Sequence, residues 1–155
     1  MKITAWRIVQ ARQFAAAFSG VGARLYPGRW NERGTPLIYT AGSLSLAVME
    51  LLVHLDTAEV LNQYLYMPVS FDEKLCNRLA MPALPPDWAV APAPLSTRAI
   101  GAAWVNSGSS VVLAVPSAVI HIETVYLINP QHPRFKEVQI GAAHAFQFDA
   151  RLVKK

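Results

Sequence analysis

Gly42-Ser43-Leu44-Ser45-Leu46-Ala47-Val48-Met49-Glu50-Leu51-Leu52-Val53-His54-Leu55 is the stretch whose reading decides the fold. Leu44, Ala47, Val48, Leu51, Leu52 and Leu55 recur at the spacing of one helical face. Ser43 stands where its hydroxyl can accept the first-turn amides. Leu46, Met49 and Val53 occupy the other faces, so the spacing predicts a helix over 43–55 that is apolar almost all round and therefore central. Ser45, Glu50 and His54 are its polar exceptions.

Strand-like stretches surround this helix. Ile3 to Val9, Leu37 to Thr40, Gln63 to Phe71, Val111 to Val115, Thr124 to Ile128 and Ala145 to Asp149 all read as strands. Gln13 to Phe18 reads as a short helical turn, and Ser19 to Arg24 as too glycine-rich for regular structure. Pro82, Pro85, Pro86, Pro92 and Pro94 make 81–94 a constrained surface segment, and Ser96 reads as the cap of a second helix reaching Asn106. Strands and helices mix without regular alternation, which predicts an α+β fold in a single domain over 1–155.

The totals narrow the function classes. Hydrophobic residues make up 53% of the chain and charged ones 15%, where an average domain carries about a quarter. Such a chain has either a large core or a surface that another chain covers. The net charge of +4 includes no dense basic run, only the terminal Lys154-Lys155, which disfavours direct nucleic-acid binding. Cys76 is the sole cysteine, so neither an intrachain disulfide nor a cysteine metal cluster can form. His121, His132 and His144 show no metal spacing, so no metal site is expected. No apolar run approaches the roughly 18 residues needed to cross a bilayer. The N-terminus meets charge at Arg7 and lacks a continuous apolar signal core, and the expectation is a soluble, reduced, cytoplasmic protein.

Glu50 is the first candidate for chemistry. A carboxylate in an apolar helix is costly to bury unless paired or used, and its plain alternative is a pair with His54 one turn on or with an arginine. Arg29 follows Pro27-Gly28 in a glycine-rich approach, where a planar fork could meet phosphate; its plain alternative is a loop arginine. Gly20-Val21-Gly22 is not the dinucleotide fingerprint, because no third glycine opens a long helix. Tyr39 is a stacking candidate or a core tyrosine. Ser117, after Pro116 at a strand end, is a ligand contact or a turn serine, and without a Gly-x-Ser-x-Gly elbow it is no acyl nucleophile.

Several motifs fall in one order. These are Trp6-Arg7-Ile8, Gly22-Ala23-Arg24, Gly28-Arg29-Trp30-Asn31 with Gly34, Ile38-Tyr39-Thr40, Ser45-Leu46-Ala47 with Glu50, Pro116-Ser117-Ala118, Asn129-Pro130 and Phe148-Asp149-Ala150-Arg151-Leu152. In this order they resemble the RES domain family, the toxins of bacterial RES–Xre type II toxin–antitoxin systems. The Arg, Glu and Ser that name the family would here be Arg29, Glu50 and Ser117. Pro27 stands where the family usually has a first glycine, which implies a stiffer turn with the activity kept.

The resemblance implies an ADP-ribosyltransferase-like fold of small, mixed or antiparallel sheets around the helix near 43–55. It also implies a toxin that cleaves the nicotinamide–ribose bond of NAD⁺ with water or inorganic phosphate as acceptor, arresting growth by depleting NAD⁺. Glu50 and Arg29 would be catalytic: Glu50 steadies the ribose cation, and Arg29 grips the pyrophosphate or the nicotinamide ribose. Tyr39 would stack on the ring and Ser117 hydrogen-bond the nicotinamide side, with Asn31, Arg7 and Arg24 as further pocket residues. NAD⁺ is then substrate, and no prosthetic group is implied. The implied partner is an Xre-type helix-turn-helix antitoxin that covers an apolar patch and makes the DNA contacts; a homodimer within that complex is compatible with it. Two other readings compete. One is ADP-ribosylation of a protein target from the same pocket, which the absence of a second acid at Val48 or Met49 disfavours. The other is a binding module in which Glu50 and His54 form a structural pair.

Overall fold

The computed structural model describes residues 1–152; Lys154 and Lys155 lie outside the described residues. Strand β1 (Lys2–Gln10) runs antiparallel to β3 (Tyr64–Asp72) along its whole length, from Lys2 opposite Asp72 to Gln10 opposite Tyr64. The other edge of β1 meets β2 (Ile38–Ala41) through Trp6 and Ala41. The sheet continues from β2 through β6 (Thr124–Ile128) to β5 (Val112–Pro116), both antiparallel, and ends at β4 (Cys76–Arg78), which is parallel to β5. Two short strands, β7 (Gln139–Ile140) and β8 (His144–Phe146), pair with β3 beyond the far edge. All eight strands join one sheet, in the order β4-β5-β6-β2-β1-β3-β7 with β8 beside β3.

Strand periodicity explains why both faces of this sheet are covered. Successive side chains point to opposite faces. Accordingly Leu113, Val115, Val125 and Leu127 enter one apolar cluster with Leu37, Leu46, Tyr64 and Trp104. Their neighbours Val112, Ala114, Tyr126 and Ile128 enter a second cluster with Ile38, Val69 and Phe71. This arrangement accounts for the unbroken apolar run at 111–115, a strand buried on both sides.

The α+β expectation holds, with one continuous sheet where several small ones were expected. The strand expected at 145–149 is displaced to His144–Phe146, and β4 and β7 have no counterpart in the sequence reading. They are three and two residues long and largely exposed, too short to carry a period.

Helix α2 (Leu44–Leu52) begins at Ser43, whose hydroxyl oxygen accepts from the Leu46 amide at 3.1 Å. It ends three residues before the predicted limit and lies on the sheet surface against β1 and β2 instead of at the centre. Leu46 and Ala47 are its buried residues, while Met49 is 39% and Val53 56% exposed. An apolar outer face does not force a helix inward; it leaves a surface for something else to cover. The glycine-rich stretch corrects a second expectation, since Val21–Leu25 forms a short helix, α1. Gly20 enters it at φ 75°, and a Cβ there would lie 2.8 Å from the Leu37 amide nitrogen. Only glycine suits both the left-handed backbone and the close approach.

Helix α3 (Leu95–Ser107) has Pro94, not Ser96, at its N-cap position, without a side-chain cap, and closes on Gly108 at φ 62°. Ser96 Oγ instead donates to Asp87 Oδ1 at 2.6 Å, which ties the proline-rich segment to the helix. Among the described residues no helix is long and apolar enough to cross a membrane.

Candidate active site

Four separate elements bring polar groups to one place on the α2 side of the sheet. Glu50 comes from the last turn of α2. Its Oε1 accepts the Ser117 hydroxyl at 2.6 Å, just where the chain leaves β5. A hydroxyl given to a carboxylate makes a short, strong hydrogen bond. Ser117 is fully buried, and its Oγ also accepts from the amides of Val119 and Ile120 at 3.1 and 3.0 Å. The one proton and both acceptor positions of this hydroxyl are thus used within the protein. The serine fixes the carboxylate and has nothing left to offer a ligand. Glu50 Oε2 accepts from no described residue, and Glu50 enters no ion pair among the described residues. His54, the alternative partner, is exposed.

Arg29 approaches from the loop before β2. Its Nη1 donates to the carbonyls of Trp88 and Val90 at 3.0 and 2.7 Å, so the guanidinium holds the proline-rich segment across this side of the molecule. Nε and Nη2 donate to no described residue. Burial pulls the Arg29 pKa below its ordinary value, and the negative charge of Glu50 opposes that pull. Trp88 in turn packs its ring against His121, centroid to centroid 4.8 Å, which joins this segment to the turn after Ser117.

Tyr39 stands behind Arg29. Its hydroxyl donates to Asn31 Oδ1 at 2.6 Å and accepts from the Trp30 amide at 3.0 Å. Burial raises its phenol above the usual tyrosine value. A Cβ on Gly28 would lie 2.6 Å from that hydroxyl, so the glycine of Gly-Arg-Trp-Asn admits the tyrosine. Asn31, 1% exposed, accepts from the Gly28 amide at 2.8 Å and donates through Nδ2 to Ala23 O at 2.8 Å and Thr35 O at 3.2 Å. The Arg29 loop is therefore shaped by Asn31 and Tyr39 together.

The remaining predicted residues sit elsewhere or are otherwise engaged. Arg7 donates to the carbonyls of Ala17 and Tyr39 at 2.8 and 3.0 Å, and burial lowers it to about 10. It braces the strand that carries Tyr39. Arg24 is exposed and borders a different groove of about 390 Å³, lined also by Phe18, Pro36, Pro130 and Phe135. The geometry thus gathers Glu50, Ser117, Arg29 and Tyr39, assigns Asn31 and Arg7 to their support, and leaves Arg24 outside.

Sequence reasoning missed the contribution of α3. Thr97 Oγ1 donates to the Arg29 carbonyl at 2.7 Å. One turn on, a Cβ at Gly101 would fall 1.5 Å from the Trp30 carbonyl oxygen. Between them Arg98 acts on Tyr39 through its charge. A signal existed, because Arg98 is the only charged residue in Leu95–Ser107. It is the same kind of exception that singles out Glu50 in α2.

A buried serine fixes a carboxylate, with an arginine nearby, on one mostly antiparallel sheet of an α+β fold. The chain belongs to the RES domain family, whose model matches residues 4–149. It is 36% identical over 148 residues to "Toxin Res" of Yersinia enterocolitica, covering 95% of this chain and 97% of that one. It is 37% identical over 160 residues to the "Prs ADP-ribosylating toxin" of a Sphingobium species, covering 100% and 99%. The fold is also that of the toxin in the M. tuberculosis MbcT–MbcA toxin–antitoxin complex, with a TM-score of 0.79 at 20% identity over 98% of this chain and 87% of that one. The ADP-ribosyltransferase-like architecture is thereby shared.

Proposed function

We propose that this protein is the toxin of a toxin–antitoxin pair and that it cleaves the nicotinamide–ribose bond of NAD⁺. The observation that carries the reading is the 2.6 Å hydrogen bond from Ser117 to Glu50 Oε1, which leaves Oε2 without a partner among the described residues. Glycosidic cleavage passes through an oxocarbenium-like state. A carboxylate held in place before the reaction stabilises the developing cation without reorganising. Glu50 Oε2 accepts a ribose hydroxyl and faces that charge. Nicotinamide departs with the bonding electron pair as a neutral base, so no strong acid is required at the leaving group. Water or inorganic phosphate then bonds to the ribose carbon; water gives up a proton and yields ADP-ribose. Arg29, with Nη1 tied to the proline-rich segment, offers Nε and Nη2 to the substrate beside Glu50.

A second reading is favoured by one specific observation, the name of the Sphingobium relative as an ADP-ribosylating toxin. In that reading a side chain of a target protein takes the place of water. Incubation of the purified protein with NAD⁺, with and without phosphate, tests both. Free nicotinamide with ADP-ribose or its phosphate ester supports cleavage, and label retained on a target protein supports transfer. Absence of nicotinamide under every condition rejects both.

The proposed partner is an Xre-type antitoxin. The relative of known structure is a toxin in complex with an antitoxin. In this chain Met49, Val53, Val90, Leu95 and Ile122 are large apolar residues exposed by 39% to 95%. Val90 and Leu95 flank the segment that Arg29 holds, and Ile122 follows His121. Exposed apolar surface so close to a site suits a chain that covers it.

A further inference from the structure

Arg29 is held at both ends by different pieces of the chain. Its backbone carbonyl accepts the Thr97 hydroxyl of α3 at 2.7 Å. Its guanidinium Nη1 donates to the carbonyls of Trp88 and Val90 in the proline-rich segment. An arginine side chain is long and rich in rotamers, so a head tied in this way is set before any ligand arrives. The tether uses one nitrogen. The edge formed by Nε and Nη2 donates to no described residue, and such an edge matches a pair of oxygens.

The two acceptors are themselves placed. The Trp88 amide donates to Pro85 O and the Val90 amide to Asp87 O, both at 3.1 Å, which closes the segment into turns. Asp87 is tied to Ser96 in the first turn of α3. The Trp88 ring packs on the apolar cluster of the α2 side and on the His121 ring at 4.8 Å. His121 belongs to a closed turn, in which the Ser117 amide donates to Glu123 O and the Glu123 amide to Ile120 O, both at 2.9 Å. The same turn fixes Glu50 through the Ser117 hydroxyl. One path of contacts therefore leads from Arg29 through Trp88 and His121 to Ser117 and Glu50. His121 is exposed and hydrogen-bonds to no described residue, so its ring, not its nitrogens, makes the contact.

We infer that Trp88, seated on His121, is a positioning residue that sets Arg29 against the Ser117–Glu50 pair. It touches no reacting atom and acts through the two carbonyls that hold the guanidinium. This inference rests on the reading of the site as one that cleaves NAD⁺. It gives the proline-rich segment a task in the reaction, as the brace between the Arg29 loop and the turn that carries Ser117.

Three variants of the full chain test it: Trp88→Ala, His121→Ala and His121→Phe. The value of kcat/KM for NAD⁺ should fall about tenfold or more in Trp88→Ala and about threefold or more in His121→Ala, since a small misplacement away from the chemistry is costly. His121→Phe keeps a ring for Trp88 and should stay within about twofold of wild type. In the ligand-free protein, nitrogen relaxation at Arg29 Nε should report an ordered side chain in the wild type and in His121→Phe, and a mobile one in both alanine variants. Unchanged or raised kcat/KM in the alanine variants overturns the proposal, and so does an Arg29 signal that ignores them. Equal loss in His121→Phe and His121→Ala also overturns it, because His121 would then act through its nitrogens. If thermal melts show Trp88→Ala unfolded, the His121 pair decides alone; an unfolded His121→Ala makes the contact merely structural and overturns the proposal too. Failure of the NAD⁺ reading looks different, since the wild-type protein would then release no nicotinamide although the Arg29 signal still responded to His121→Ala.

Discussion

At the residue scale the account turns on one carboxylate and the hydroxyl that holds it. Glu50→Gln keeps size and can still accept from Ser117, but it removes the charge that faces the ribose cation. Turnover should fall by about 100-fold or more, the range seen when one preorganised electrostatic group is lost, while the melting temperature stays close to wild type. Ser117→Ala should behave differently. It strips the Val119 and Ile120 amides of their acceptor and Glu50 of its donor, and each buried group left unsatisfied costs about 1–3 kcal/mol. Both stability and rate should drop, as a melt and an assay run in parallel would show. Tyr39 adds a pH dependence. Its folded phenol titrates above the ordinary tyrosine value, so the unfolded chain loses that proton first as pH rises. The stability it confers is complete below about pH 10 and declines above it. Denaturant midpoints should therefore fall through the alkaline range, and Tyr39→Phe should flatten part of that fall.

At the scale of elements, α3 is the piece on which the site depends without supplying its carboxylate. Gly101→Ala opposes two effects. Alanine favours a helix over glycine by about 1 kcal/mol. A Cβ 1.5 Å from the Trp30 carbonyl oxygen lies far inside contact distance, and overpacking costs about 1–3 kcal/mol or more. The clash should win. We expect a lower melting temperature together with weaker nucleotide binding, because the helix can relax only by moving away from Arg29. The elements themselves were unevenly legible in the sequence. The unbroken β-branched run at 111–115 marks a strand and the helical spacing after Ser43 marks a helix; they form as Val112–Pro116 and Leu44–Leu52. Depth was not legible, since Met49 and Val53 look like core residues in α2 and are exposed. The glycines at 20 and 22 read as irregular chain, although Gly20 is the left-handed entry to a short helix. Within the site, Arg29, Glu50 and Ser117 were legible as an ordered set. The Ser117–Glu50 bond, the tether of Arg29 on Trp88 and the anchor of Thr97 on the Arg29 carbonyl join residues 59 to 68 apart in the chain, which no local pattern records.

At the scale of the molecule, the apolar composition and the exposed face of α2 belong together. Burial of large side chains on association stabilises by roughly 25 cal/mol per Å² of apolar surface, so an antitoxin gains most where Met49, Val53 and their neighbours already stand free. Met49→Lys and Val53→Glu should weaken binding of the co-expressed antitoxin, read by titration calorimetry. The unbound toxin should melt as the wild type does, because neither side chain is part of the core. The most direct measurement is product analysis after the purified chain meets NAD⁺, with and without inorganic phosphate and with Glu50→Gln alongside. The account predicts stoichiometric release of free nicotinamide by the wild-type protein and little by the variant. Intact NAD⁺ under both conditions, or equal release by Glu50→Gln, would contradict it.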